Sequence, residues 1–255
     1  MQQEPVAEFT KVESIFVRHR NCLLVRADLT PIFTDYYLHL LDIGEKHPEN
    51  LDTPLKDLLA VLTLHLTARP WAETIAWTAN LRAPRVNFFA TGSSVHENIT
   101  GRLFTENVRE PDRNFLYSQT IVRGKEPRTS TIEVETNSPL QWLSHFYDQS
   151  EQRPGKAFRL QDDTYALVAA QPDFDEEWFE SLTAEKVAKI TDDEQTKVLE
   201  TRKFRFHCGC SLEKILPTLS AWKDKPEELF GDDHTLSLQC PRCGKRYQVT
   251  REDIA

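Results

Sequence analysis

Short runs of alternating apolar and polar residues open the chain and predict strands. Ile15 to Val17 and Cys22 to Val25 flank Arg18-His-Arg-Asn21, which predicts a hairpin. The period then lengthens. Thr30-Pro31 is an N-cap followed by proline at the first helical position, and the helix runs through Tyr36, Tyr37, Leu40 and Leu41 to a stop at Gly44. Thr53-Pro54 repeats that start, ahead of Leu55, Leu58, Leu59, Leu62 and Leu66, an apolar stripe wide enough for burial. Strand-like runs follow at Thr74 to Leu81, Val86 to Ala90, Asn114 to Val122 and Ser130 to Glu135. Gly92-Ser-Ser and Arg123-Gly124 supply turns between them. Ser138-Pro139 starts a third helix, where Gln141 completes a capping box and Leu140, Leu143 and Tyr147 line one face. Trp142 and Phe146 form a second stripe on that helix. Lys156 to Leu160 and Tyr165 to Ala170 predict two more strands.

At Asp173 the pattern changes. Residues 173–200 are rich in Glu, Asp and Lys, with Trp178, Phe179, Leu182, Val187, Ile190 and Leu199 at loose helical spacing. That predicts a charged helical segment that is marginally stable unless it packs on something. Beyond Lys203, Ser211 caps a helix through Leu212, Ile215 and Leu219, and Tyr247 to Val249 predicts a closing strand. The fold class is therefore α+β in three parts. Residues 1–172 form an N-terminal mixed α/β domain, residues 173–202 a charged helical linker, and residues 203–255 a small C-terminal module.

The third part carries the chemistry. Four of the five cysteines lie there, as Cys208-Gly-Cys210 and Cys240-Pro-Arg-Cys243. Four thiolates from two distant close pairs make a tetrahedral zinc site in outline. Cys240-Pro-Arg-Cys-Gly-Lys245 reads as a zinc-knuckle turn, in which Gly244 can take positive φ and aim backbone amides at sulfur. A module of this size cannot hold itself together by its core alone, and a structural zinc contributes on the order of 10 kcal/mol or more. The same metal also fits a clip that only folds the module. His207 and His234 stand near the cysteines as neighbours. Cys22, alone in an apolar run, reads as a buried inert thiol.

Composition narrows the alternatives. The 255 residues carry a formal charge of −9, which argues against nonspecific binding to nucleic acid or anionic membrane. Arg242, Lys245 and Arg246 cluster on the knuckle, where they balance a negative metal centre. Met1-Gln-Gln-Glu-Pro5 has no basic or apolar leader character, and Leu58 to Ala68 is too short to span a bilayer, so the expected location is cytoplasmic. The chain has only eight glycines and no Gly-rich phosphate loop, Gly-x-Ser-x-Gly or His-Glu-x-x-His. Four cysteines close a zinc site that catalysis would need open. The expectation is a protein that is not an enzyme.

Specific residues resemble the redox-regulated thirty-three-kilodalton heat-shock chaperones, also called disulfide-bond chaperones. They are Phe204-Arg-Phe-His-Cys-Gly-Cys-Ser-Leu-Glu-Lys214, Leu238-Gln-Cys-Pro-Arg-Cys-Gly-Lys-Arg-Tyr247 and Arg251-Glu-Asp-Ile254. A second match covers Leu140 to Tyr147, Ser150-Glu-Gln152 and Pro154; a weaker one covers Phe16-Val-Arg18, the leucine-rich helix near Leu58 and Thr100-Gly-Arg-Leu-Phe104. The resemblance implies an ATP-independent holdase of the oxidative stress response. Its reduced form binds zinc through Cys208, Cys210, Cys240 and Cys243 and is inactive. Oxidation pairs Cys208 with Cys210 and Cys240 with Cys243, releases zinc and unfolds the linker. The protein, often a dimer in that state, then holds unfolding clients. Two departures stand out. The stretch between Phe174 and Cys208 is shorter than the family's linker, and Arg82-Ala-Pro-Arg85 stands where a Gly-Asp-Gly-type turn is expected. The short linker keeps open a constitutive, zinc-stabilised partner-binding protein without redox gating. A zinc-ribbon nucleic-acid adaptor is the weaker rival.

Overall fold

Alternating burial converts the strand-like runs into a single large sheet. In a computed structural model describing residues 8–254, the hairpin strands are β1 (Thr10–Val17) and β2 (Cys22–Asp28). Met1-Gln-Gln-Glu-Pro5 lies outside the described residues. Helices α1 (Thr30–Ile43) and α2 (Glu49–Thr67) follow. Gly44 ends α1 in the left-handed conformation, φ 69°, as its position after the last apolar residue predicts. Next come β3 (Glu73–Leu81), β4 (Val86–Ser93), β5 (Asn98–Phe104), β6 (Phe115–Val122) and β7 (Arg128–Glu133). Helix α3 (Pro139–Phe146) runs into a π-helical turn, Tyr147–Glu151, before β8 (Gly155–Arg159) and β9 (Thr164–Ala170). The charged region forms α4 (Glu176–Glu180), α5 (Ala184–Asp193) and β10 (Thr196–Phe206). The last part holds α6 (Leu212–Ile215), a 3₁₀ turn at Leu216–Trp222, α7 (Pro226–Phe230) and the hairpin β11 (Thr235–Gln239) and β12 (Arg246–Thr250).

The large sheet has ten strands in the order β7-β6-β3-β4-β5-β10-β1-β2-β9-β8. Helix α2 is buried nearly all round from Leu58 to Thr67 and packs across one face, against β1, β2, β3, β4, β5 and β9. Each fully buried leucine there stabilises the fold by about 1.5–3 kcal/mol. On the opposite face, α4 and α5 cover one end of the sheet. Phe179, Leu182, Val187 and Ile190 pack on Ile15, Cys22, Leu24 and Val168. Thr183 caps α5 through its hydroxyl to the Lys186 N–H, and Asp175 caps α4 through the Trp178 N–H. The C-terminal module has a small core of its own, Leu219, Phe230, Val249 and Ile254.

Several elements differ from the expectation. Helix α2 starts at Glu49 rather than Thr53, with Pro54 inside it. Its first turn is held by Asp52, which accepts the hydroxyls of Tyr36 at 2.7 Å and Tyr37 at 2.6 Å. The capping box at Ser138 does not form: that side chain makes no cap hydrogen bond, and Pro139 at the first helical position sets the start. Ser211 likewise makes no side-chain cap bond. The helical linker is corrected at its C-terminal end. Thr196–Phe206 is a strand that pairs with β1, and it runs through the boundary placed at 202/203. Arg202, Phe204 and Phe206 are its inward positions, so a guanidinium occupies one of the slots that an apolar alternation would need. No helix of the described residues is long and apolar enough to cross a membrane.

Candidate metal centre

Two turns bring the cysteines together. The first leaves β10 directly: only His207 separates the buried Phe206 from Cys208. The His207 N–H donates to the Ile99 carbonyl at 2.9 Å, so the start of the turn is fixed to β5. Gly209 then takes φ 66°, which lets Cys208 and Cys210 face the same side. The second turn joins β11 to β12. The Cys240 N–H donates to the Lys245 carbonyl at 2.8 Å, and the Gly244 N–H donates to the Cys240 carbonyl at 2.9 Å. Gly244 sits at φ 84°, as the knuckle reading requires.

One sulfur from each of Cys208, Cys210, Cys240 and Cys243 lies within 4.8 Å of the other three. The Cys208–Cys240 and Cys210–Cys243 sulfurs are 3.7 Å and 3.5 Å apart. Four sulfurs at about 2.3 Å from a zinc ion stand about 3.8 Å from one another, so the donor set fits a tetrahedral thiolate site. All four thiols are free. Cys240 and Cys243 are buried, at 3% and 2% exposure, and Cys208 and Cys210 are half-buried.

The electrostatics favour one thiolate first. Hydrogen bonds from Cys208 and Cys243 lower the Cys240 pKa, helped by the backbone N–H groups of Arg242 and Cys243. The hydrogen bond to Cys240 pushes Cys208 up to about 12, and Cys243 is raised by its bonds to Cys208 and Cys240. Tyr247 adds a support the sequence pattern did not single out. Its hydroxyl lies 3.0 Å from the Cys210 carbonyl and 3.1 Å from the Cys210 sulfur.

The N-terminal domain also reaches the site. His39 of α1 donates from Nε2 to the Cys243 carbonyl at 2.8 Å, and Arg102 of β5 donates to the Cys240 carbonyl at 3.2 Å. Lys245 pairs with Asp42 at 3.2 Å. His39 and Arg102 lie far from the cysteines in sequence, and only the fold shows their role. His207 and His234 are not part of the sulfur cluster. Cys22 is fully buried, donates to the Arg20 carbonyl at 3.3 Å, and burial pushes its thiol up to about 12.

The family described as Hsp33 protein matches residues 154–250. Among curated relatives, a 33 kDa chaperonin of Lactobacillus delbrueckii subsp. bulgaricus is 29% identical over 102 residues, 40% of this chain and 35% of the relative. One from Bacillus cytotoxicus is 36% identical over 67 residues, 26% of this chain and 23% of the relative. One from Caldanaerobacter subterraneus subsp. tengcongensis is 24% identical over 159 residues, 51% of this chain and 54% of the relative. The chain thus spans about a third of the length of the first of these relatives. The crystal structure of a 33 kDa chaperonin from Thermotoga maritima shares the fold, with a TM-score of 0.73, 14% identity, and coverage of 98% of this chain and 97% of that one. Over residues 154–250, which run from the start of β8 through the cysteine module, the chain is similar to the Hsp33 family, and its fold is that of the Thermotoga maritima chaperonin.

Proposed function

We propose that this protein is an ATP-independent holdase whose access to clients is gated by the oxidation state of Cys208, Cys210, Cys240 and Cys243. The observation that carries the reading is the position of the sulfur cluster. It ties the end of β10 to the β11–β12 turn, and that turn is docked on α1 and β5. A bound zinc ion would supply a closed cross-link between the two turns.

The thiols make the site sensitive to oxidants. In each close pair two thiolates give up two electrons to a peroxide. Its O–O bond breaks and, with two protons taken up, two waters leave as the disulfide forms. We assign the disulfides to Cys208–Cys210 and Cys240–Cys243, following the family resemblance. Both pairs then stop being donors. The module loses the cross-link that supplied most of its folding energy, and its small core of Leu219, Phe230, Val249 and Ile254 is left to hold it. Residues 173–202 act as the responsive part between core and module, and apolar surface becomes available to unfolded clients. A reducing cytoplasm would keep the thiols ready. Dimerisation of the oxidised form belongs to the same proposal.

A constitutive reading also has an observation in its favour. Instead of a free helical linker, α4 and α5 are packed on the sheet through Phe179, Val187 and Ile190. Zinc release under peroxide, followed with a chromogenic chelator, separates the two. Zinc retained at peroxide levels that oxidise accessible thiols supports the constitutive protein.

A further inference from the structure

A cavity of about 470 Å³ lies where the core meets the cysteine module. That volume is within the roughly 300–1,000 Å³ range of small-molecule sites. Three segments wall it: the connection after α1, the end of β5 with the loop that follows, and the β11–β12 hairpin. Gln239 and Arg246 are paired directly across that hairpin, so their side chains share a face, and both line the cavity. Arg102 and Phe104 alternate along β5 and line it from the core. Lys46 adds a third cation from the α1–α2 connection.

The charges around the cavity are unmatched. Lys46, Arg102 and Arg246 make no ion pair among the described residues. Arg102 donates from one terminal nitrogen to the Cys240 carbonyl, and its buried Nε has no partner. Nε2 of His47, also in the wall, is buried without a partner too. Two carboxylates share the lining. Glu45 accepts from Nε2 of Gln239 at 3.4 Å, and Glu106 stands on the exposed loop after β5. Three cations against two carboxylates leave one net positive charge, in a chain of net charge −9.

Two of the cations belong to the core and one to the module. Their mutual repulsion opposes docking, and an anion placed among them turns it into attraction. We propose that the cavity binds a small phosphate-type anion, which clamps the cysteine module onto the core. The guanidinium groups of Arg102 and Arg246 suit phosphate oxygens, and Lys46 supplies a point charge. The side-chain amide of Gln239 adds a neutral donor beside Arg246. The coupling is reciprocal. An anion that binds only the docked form holds the module down, and release of the module takes the site apart. The site needs docking alone, so it goes beyond the holdase reading and does not rest on it.

The probe is pyrophosphate, titrated by calorimetry into the reduced, metal-loaded full chain, with ADP as a second arm. One pyrophosphate binds per chain. Lys46→Gln and Arg246→Gln each weaken it at least about tenfold at unchanged metal content and melting temperature. Lys125→Gln, on the β6–β7 turn at the far edge of the sheet, leaves it unchanged. ADP binding as tightly as pyrophosphate or tighter identifies the ligand as a nucleotide; weaker ADP identifies the free inorganic anion. Hydrogen exchange through residues 239–250 slows by one plus the ratio of free pyrophosphate to its Kd, about elevenfold at a ratio of about ten, while β3 keeps its rates.

No binding at millimolar pyrophosphate overturns the site. So does binding that both the Lys46 and the Arg246 variants leave intact, since the anion then sits elsewhere. Binding with unchanged exchange through residues 239–250 overturns the clamp. None of these results touches the holdase reading, which client aggregation tests separately.

Discussion

Nε2 of His39, in the middle of α1, lies 2.8 Å from the carbonyl oxygen of Cys243. A carbonyl only accepts, so the imidazole must carry its proton on Nε2. Arg102 meets the Cys240 carbonyl in the same way, with its guanidinium 4.4 Å above the Phe104 ring. The knuckle backbone is thus read from the core by two side chains. Replacing either by Ala should weaken docking by about 1 kcal/mol and raise amide exchange through residues 240–250 several-fold, with the metal still bound. Unchanged exchange in the double variant would contradict a docked knuckle.

Gly101 makes β5 fit beneath α2. A Cβ there would stand 2.5 Å from the Phe89 carbonyl and 3.1 Å from Leu59. Backbone cannot swing aside as a side chain can. Gly101→Ala should therefore lower stability by about 1–3 kcal/mol. Urea unfolding checks this through a lower midpoint at an unchanged slope.

Burial holds His65 neutral, with its pKa lowered to about 3, aided by Arg69 and Arg153. Its Nδ1 faces the Tyr147 hydroxyl at 3.1 Å. The unfolded chain protonates this histidine below about pH 6.5, while the folded chain resists until about 3. Its contribution is intact above pH 6.5. It declines as pH falls toward 3, by up to about 1.4 kcal/mol per pH unit. His65→Gln should flatten the stability profile between pH 6 and 4. An unchanged slope in that window would remove His65 from the account.

Cys210→Ser removes one sulfur donor and the thiol that the Tyr247 hydroxyl meets, while the hydroxyl keeps the residue 210 carbonyl. A structural site of this type supplies on the order of 10 kcal/mol. The variant should lose metal and exchange protection across residues 208–250, while β3 and β4 keep theirs. Loss of protection throughout the chain would show that module and core unfold as one unit.

How much of this was legible before the fold was known depends on how each residue announces itself. The hairpin β1–β2, the end of α1 at Gly44 and the strands β3, β4, β6, β8 and β9 follow from period and turn residues, to within a residue or a few at their ends. The clustering of the cysteines followed from spacing alone. β5 was not predicted, because Thr100 and Gly101 interrupt its apolar run, and Gly101 is there for close approach to Phe89 and Leu59. β10 was hidden by Arg202, a buried cation whose terminal nitrogens bond the carbonyls of Leu66, in the last turn of α2, and of Arg69 just beyond it. The turn Arg82-Ala-Pro-Arg85 departs from the expected glycine pattern and still joins β3 to β4 in register, with Leu81 opposite Val86. His39 left no signal, since a histidine on a helix announces no partner that lies far away in sequence.

The central claim is that cysteine oxidation converts a closed, metal-holding chain into one that holds clients. Aggregation of a heat-denatured client should be followed with the reduced, zinc-loaded protein and with the peroxide-treated protein, while released zinc is read in the same cuvette. The account predicts suppression only after peroxide, rising in step with zinc release. Equal suppression in both states, or suppression gained with zinc still bound, would contradict it.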